Sequence, residues 1–436
     1  MIALAASPVY HAYTYAYPHK TAYRQLSPAP RLDALWADEP KSSLFLYVHV
    51  PFCEYRCGFC NLFTRRSPGD DRMDRWLATL KRQASRTRAA LGSETRFARV
   101  AIGGGTPTYL DADHLAAVLD LAESMGAPLG QVPMSVETSP ETATPDRLAL
   151  LRARGTTRVS IGVQSFVEAE ARAVSRPQRT VSVERALGDI REAGFPVLNI
   201  DLMYGLPGQT EASFLGSIRS ALRFAPEELY LYPLYIRPLT GLGLGRKSWD
   251  DARLALYRKG RALLLESGYE QCSLRMFRAT RAPGEGGPPY RCQDDGMVGL
   301  GCGARSYTRT VHYASEWATS QEGVLDILES WINRTDDRFD LAEWGYTLDG
   351  DDQRRRWVIQ SLLQREGLSR ATYTARFGTD ALADLPCLHD LPALGWATLD
   401  ADTLILTEAG IERSDAIGPW LYSDTAQRLM AESVVG

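Results

Sequence analysis

The chain has 436 residues, 44% hydrophobic and 23% charged, with a formal net charge of −4. That is the composition of an ordinary globular protein with room for one large unit and a smaller one, and the acidic balance argues against a nucleic-acid partner. No apolar run reaches bilayer length, so no membrane partner is expected; seven cysteines and an N-terminus without a signal-peptide pattern fit a reducing cytoplasm.

Residues 1–43 are irregular, rich in tyrosine around Tyr13 and Tyr17 and broken by Pro18, Pro28 and Pro30. They read as a strap over the main unit; an arm that covers a site and supplies tyrosines to it is the competing reading. From residue 44 the pattern becomes strand, loop, helix, repeated. Strands are predicted at 44–50, 97–102, 133–136, 158–163, 197–203 and 228–236. The intervening helices are predicted at 72–91, 112–125, 146–153, 181–193 and 212–224, and a further segment, 250–267, follows the sixth strand. Strands alternating with helices imply βαβ units and a parallel sheet. Six units are too few for a closed eight-stranded barrel, so an open, partial (β/α)6 barrel is expected, with its site at the C-terminal strand ends.

The strand ends carry polar or glycine-rich residues in phase. The first is followed by Cys53-x3-Cys57-x2-Cys60, the second by Gly103-Gly104-Gly105-Thr106. The third ends at Glu137, the fourth at Gln164, the fifth carries Asp201, and the sixth ends near Tyr235 and Arg237. Three thiols at this spacing can converge on an iron–sulfur cluster, leaving one iron open to a non-protein ligand. A zinc loop recruiting His49, a disulfide, and ordinary buried cysteines remain open at this point. Cys272, Cys292, Cys302 and Cys387 lack such spacing and read as structural. Residues 269–277 read as one strand and 295–305 as a glycine loop or a tight bend. Beyond about 341, three helices and a hairpin suggest a winged-helix-like α+β unit without the basic stripe of a DNA-binding module. The divisions expected are 1–43 strap, 44–268 barrel, 269–340 barrel extension with the glycine loop, and 341–436 C-terminal unit.

The Cys53–Cys60 motif after a first barrel strand resembles the radical S-adenosylmethionine (SAM) signature. Together with Leu46–Cys53, Gly103–Thr108, Arg158–Phe166, Asn199–Gly208 and Gly299–Gly301, it is similar to the oxygen-independent coproporphyrinogen III dehydrogenase-like (HemN-like) family, over residues 44 to about 310. The resemblance implies a [4Fe–4S] cluster on Cys53, Cys57 and Cys60, with SAM on the open iron, cleaved after one-electron reduction to a 5′-deoxyadenosyl radical. It implies Tyr47 beside cluster and SAM, and Gly104, Gly105 and Thr106 at the methionine end. It places Glu137 on the SAM amino group, Arg176 on its carboxylate, Gln164 and Asp201 on the ribose, and Phe59 and Tyr235 on adenine or a second ligand. It puts Val298 and Gly299 at a second SAM. An electron donor such as flavodoxin or ferredoxin and a small-molecule substrate are implied partners; Arg237, Arg275 and Arg305 read equally as ligands for an anionic substrate and as salt-bridge partners on the barrel rim. The family's fourth cysteine is absent: Cys60 is followed by Asn61 and Leu62. That departure keeps two other readings beside the dehydrogenase, a class C methylase or cyclopropanase and a haem chaperone.

Overall fold

The first strand shows why the chain folds as it does. In β1 (Leu44–Val50) the even-numbered Leu44, Leu46, Val48 and Val50 are fully buried on one face, while Phe45, Tyr47 and His49 face a central cavity. Period-two alternation with both faces enclosed is what a barrel strand requires. In the computed structural model, which describes every residue except 1, 15, 67–68, 237–239, 241–251 and 434–436, β1 is continued by β2 (Phe97–Gly104), β3 (Met134–Thr138), β4 (Arg158–Gln164), β5 (Val197–Tyr204) and β6 (Glu228–Pro233). All five junctions are parallel.

The helices between them are α1 (Asp70–Leu91), α2 (Ala112–Ser124), α3 (Pro145–Ala153), α4 (Thr180–Glu192) and α5 (Glu211–Leu222), with α6 (Arg253–Glu266) after β6. α1 buries Met73, Trp76, Leu77, Leu80, Ala84 and Leu91, a stripe at helical spacing. Local signals set several helix starts. The Asp111 carboxylate accepts the His114 N–H ahead of α2, and Thr210 forms a capping box with Ser213 ahead of α5.

The sheet extends beyond the six strands. Residues 269–277 form not one strand but a hairpin, β7 (Tyr269–Gln271) and β8 (Met276–Ala279), because the chain turns at 272–275, where the Cys272 N–H reaches the Met276 carbonyl at 2.8 Å. The expected glycine loop is in part a strand: its residues Met297–Leu300 form β9, a seventh parallel strand on the free side of β1. β10 (Arg305–Tyr307), β11 (Val311–Ala314) and β12 (Trp344–Thr347) follow antiparallel. With the short strand Arg24–Gln25 beside β12, the described residues build one thirteen-stranded sheet.

A second apolar core gathers residues 346–426 around Trp357, Ile359, Leu362, Tyr373 and Ile417. It contains α7 (Gly350–Leu362), α8 (Arg370–Phe377) and a three-stranded antiparallel sheet whose hairpin is 397–406. Gly378, left-handed at φ 76°, ends α8. The N-terminal segment is more than a strap. Leu4, Tyr17, Ala22 and Tyr23 belong to this second core, and Tyr10 belongs to the barrel core, edge-on to Tyr204 at 5.9 Å. Tyr13, Tyr17 and Tyr23 also line the central cavity, so the arm that supplies tyrosines is the reading the geometry favours.

Candidate active site

The cavity has a volume of about 730 Å³ and takes side chains from every strand β1 to β6. At its upper end the chain leaves β1 through Pro51 into the cysteine loop. This loop is pinned at several points. The Gly105 and Thr106 N–H groups donate to the Val50 and Phe52 carbonyls at 2.7 Å each, Gly58 N–H to the Val174 carbonyl at 2.8 Å, and Cys60 N–H to the Cys57 carbonyl at 3.0 Å. Glycine is required at 105: a Cβ there would sit 2.4 Å from the Phe52 carbonyl oxygen and 3.0 Å from Cys53 Sγ. His49 Nε2 lies 2.8 Å from the Phe63 carbonyl and must donate to it. Its Nδ1 is therefore the acceptor for the Tyr47 hydroxyl at 3.1 Å, which fixes Tyr47 over the cavity. Burial lowers His49 to about 4, so it stays neutral in this role.

Cys53, Cys57 and Cys60 are free thiols on the cavity wall, which removes the disulfide reading. Thr106 Oγ1 donates toward Cys53 Sγ at 3.5 Å and Arg176 Nη1 toward Cys57 Sγ at 3.4 Å. Burial pushes the Cys53 and Cys57 thiols up, and their neighbouring thiols add to this. Such a trio needs a cationic partner to ionise. A single zinc ion needs its ligands at about 2.0–2.3 Å from one point, and no His, Cys, Asp or Glu group among the described residues is so disposed. A polynuclear cluster instead takes each thiolate on its own iron, and this donor set fits one.

Near the thiols two carboxylates face the cavity, Glu137 exposed to it and Asp201 partly so. Glu137 accepts the Gly104 N–H at 3.0 Å, and desolvation by the surrounding protein pushes it up to about 7, with Asp201 adding repulsion. Asp201 accepts from Asn199 Nδ2 at 2.7 Å and is pushed up to about 6, again by desolvation. Gln164 holds a left-handed backbone, φ 68°, after the register shift between Gly162 and Gln164 in β4, and its side chain lines the cavity. Arg176 is buried. It donates to Gln178 Oε1 at 2.7 Å, to the Gly162 carbonyl and to Cys57. Gly104, Gly105, Thr106, Phe59 and Tyr235 also line the cavity, and the Tyr235 hydroxyl donates to Asp415.

One expectation needs correction: Val298 does not line the cavity but is fully buried on the other face of β9. Gly299 shares the inner face with Met297, level with Tyr47, but a Cβ there would meet the Arg305 backbone, and Met297 is the β9 side chain that lines the cavity. Of the two readings of Arg275 the structure favours the salt bridge, a buried ion pair with Asp415 at 2.6 Å. Arg237 lies outside the described residues. Sequence reasoning missed Glu54, whose Oε1 accepts from Ser139 Oγ at 2.7 Å while the buried Oε2 has no hydrogen-bond partner among the described residues. Its place inside the cysteine motif was the available signal. Lys20, 3.9 Å over the Trp317 ring, and His312 had no such signal.

A parallel barrel with three thiols and paired carboxylates at its strand ends defines a radical SAM protein, and residues 47–221 match the radical SAM superfamily model. An oxygen-independent coproporphyrinogen III oxidase of Cereibacter sphaeroides is 31% identical over 77% of this chain and 76% of its own length. The haem chaperone HemW of Escherichia coli is 30% identical over 60% of this chain and 69% of its own. The structure of coproporphyrinogen III oxidase (HemN) from Escherichia coli, a radical SAM enzyme, matches with a TM-score of 0.78 at 25% identity, covering 93% of this chain and 96% of that one. The chain belongs to the HemN-like family of radical SAM proteins. No helix among the described residues is long and apolar enough to cross a membrane.

Proposed function

We propose that this chain is an enzyme that carries a [4Fe–4S] cluster on Cys53, Cys57 and Cys60 with SAM beside it, and begins its reaction by removing hydrogen from a small organic substrate, as a coproporphyrinogen III oxidase-like protein. The observation that carries this is the convergence of the three thiols with Glu137, Gln164, Arg176 and Asp201 on one cavity. When bound, cluster and SAM supply a carbon-centred radical able to take an unactivated hydrogen.

The chain's own residues hold and shield. Glu137, once ionised, accepts from the SAM amino group. Arg176 spends three N–H donors on protein partners and keeps two for a carboxylate. Asp201 and Gln164 face the ribose hydroxyls. Tyr47, fixed by His49, and Phe59 line the space beside them, and the N-terminal tyrosines close it against water. Because β9 turns Val298 away, a single SAM is the reading adopted. The electron comes from an exchangeable donor such as flavodoxin or ferredoxin.

The test is product analysis after anaerobic cluster reconstitution with SAM and a strong reductant. 5′-Deoxyadenosine without S-adenosylhomocysteine is expected, and Cys57→Ala abolishes it. Both products together, in the presence of substrate, would replace this reading with a methylase or cyclopropanase. Neither product from a protein with an intact cluster would replace it with a haem chaperone.

A further inference from the structure

The cavity has a second polar end, opposite the thiols. Three register pairs place it: Phe45 on β1 is level with Met297 on β9, Met297 with Tyr307 on β10, and Tyr307 with His312 on β11. His312 therefore lies in the row of Phe45. That row is four residues, about 13 Å, below His49 and further still from the cysteine loop. On β11 the side chains of His312 and Ala314 face the cavity, while Tyr313 points away to Trp36.

His312 is 1% exposed, and neither ring nitrogen has a hydrogen-bond partner among the described residues. A buried imidazole left with both nitrogens unpaired loses on the order of 1–3 kcal/mol for each polar atom, so the position asks for a ligand. Its neighbours state the charge of that ligand. Arg305 on β10 and Arg356 on α7 both line this end, and both act electrostatically on His312. The Arg356 guanidinium is held in place by the Gln293 carbonyl at 3.0 Å and the Cys292 carbonyl at 2.7 Å. Burial and these two cations keep His312 neutral, with one N–H to donate. The wall around this end is apolar and aromatic: Phe45, Met297 and Tyr307 in the row of His312, with Tyr290 and Trp344 beside them.

We propose that Arg305, His312 and Arg356 form a carboxylate-binding subsite that holds the far end of the substrate, with its apolar body on the aromatic wall and its reacting carbon at the thiol end. His312 is the specificity-determining residue, because its N–H donates to the carboxylate directly. The inference deepens the reading of this cavity as a substrate site and rests on it. A substrate so held carries at least one carboxylate at the end remote from the carbon that reacts.

The test uses two ligand pairs on the anaerobically reconstituted full chain: 3-phenylpropionate against its neutral amide, and coproporphyrin III against its methyl ester. Binding is followed by calorimetry or fluorescence. Each acid is expected to bind about tenfold or more tightly than its neutral partner, as hydrogen bonds to a charged group permit. His312→Phe and Arg305→Gln erase most of that preference while leaving affinity for the neutral partners, and His312→Gln, which keeps an N–H donor, retains part of it. If the phenyl pair behaves this way but coproporphyrin III does not bind, the subsite stands and the tetrapyrrole reading falls. If acid and neutral forms bind alike in both pairs, or His312→Phe weakens both forms equally, the subsite is overturned.

Discussion

At the residue scale the site turns on Glu137. Its carboxyl faces the cavity and is pushed up to about 7 from an ordinary 4.5, chiefly by desolvation from the surrounding protein. A group whose folded value is raised favours the folded state while protonated; that contribution is complete below the unfolded value and is lost as pH rises through about 7. A bound SAM amino group reverses the balance, because its N–H donates better to the anion than to the neutral acid. SAM affinity is therefore expected to rise with pH through about 7. Glu137→Gln should flatten the rising limb and weaken SAM binding by about 10- to 100-fold, an uncompensated loss of one charge-assisted bond. Titration calorimetry across this range checks it; a rising limb that survives in Glu137→Gln would assign the proton to another group, with Asp201 next in line.

At the element scale the cysteine loop is shaped by the glycines after β2. A Cβ at Gly105 would press on the Phe52 carbonyl at 2.4 Å, and that atom is backbone, which cannot swing away. Gly105→Ala is expected to move the Cys53 strand end and cut iron incorporation severely, while costing the barrel about 1–3 kcal/mol, the usual range for overpacking. Iron analysis beside far-ultraviolet circular dichroism separates the two effects; full iron loading in a folded variant would show that the loop adapts. These local features were legible in the sequence. Alternation in 44–50, a helical stripe in 72–91 and polar residues at each strand end are written within a few residues of one another. The parts that were not legible depend on distant partners. The run 297–300 is short and glycine-rich, and only pairing with β1, some 250 residues earlier, makes it a strand. His312 is a lone histidine in the sequence, and its unpaired nitrogens become visible only when Arg356 is brought from another core. Val298 was assigned to the cavity from its neighbourhood, but a strand sends alternate residues to opposite faces, and Met297 took the inner one.

At the scale of the whole molecule, the cavity is closed by contacts between parts far apart in the chain. Tyr17 from the N-terminal segment donates to Asp352 on α7, and Tyr346 donates to the same carboxylate at 2.9 Å. A second junction centres on Asp415. It pairs with Arg275 from the turn before β8 at 2.6 Å, both side chains being almost fully buried, and it accepts from the Tyr235 hydroxyl beside the cavity. The Arg275 guanidinium also lies 3.7 Å over the Tyr13 ring, so one cation ties the barrel, the C-terminal core and the tyrosine arm together. Removing one partner of such a pair leaves the other buried and uncompensated. Asp415→Ala is expected to destabilise the fold by about 3–5 kcal/mol, whereas replacing both partners with apolar residues, as in Arg275→Met with Asp415→Leu, costs far less. The same double variant should still loosen the arm, because Tyr235 loses its acceptor and Tyr13 its cation. Urea denaturation measures the first effect and proteolysis of the N-terminal segment the second. Equal destabilisation by the single and double variants would mean that the ion pair holds the two cores by its own attraction. A protease-resistant arm in the double variant would mean that Tyr17 and Asp352 are enough to keep the cavity shut.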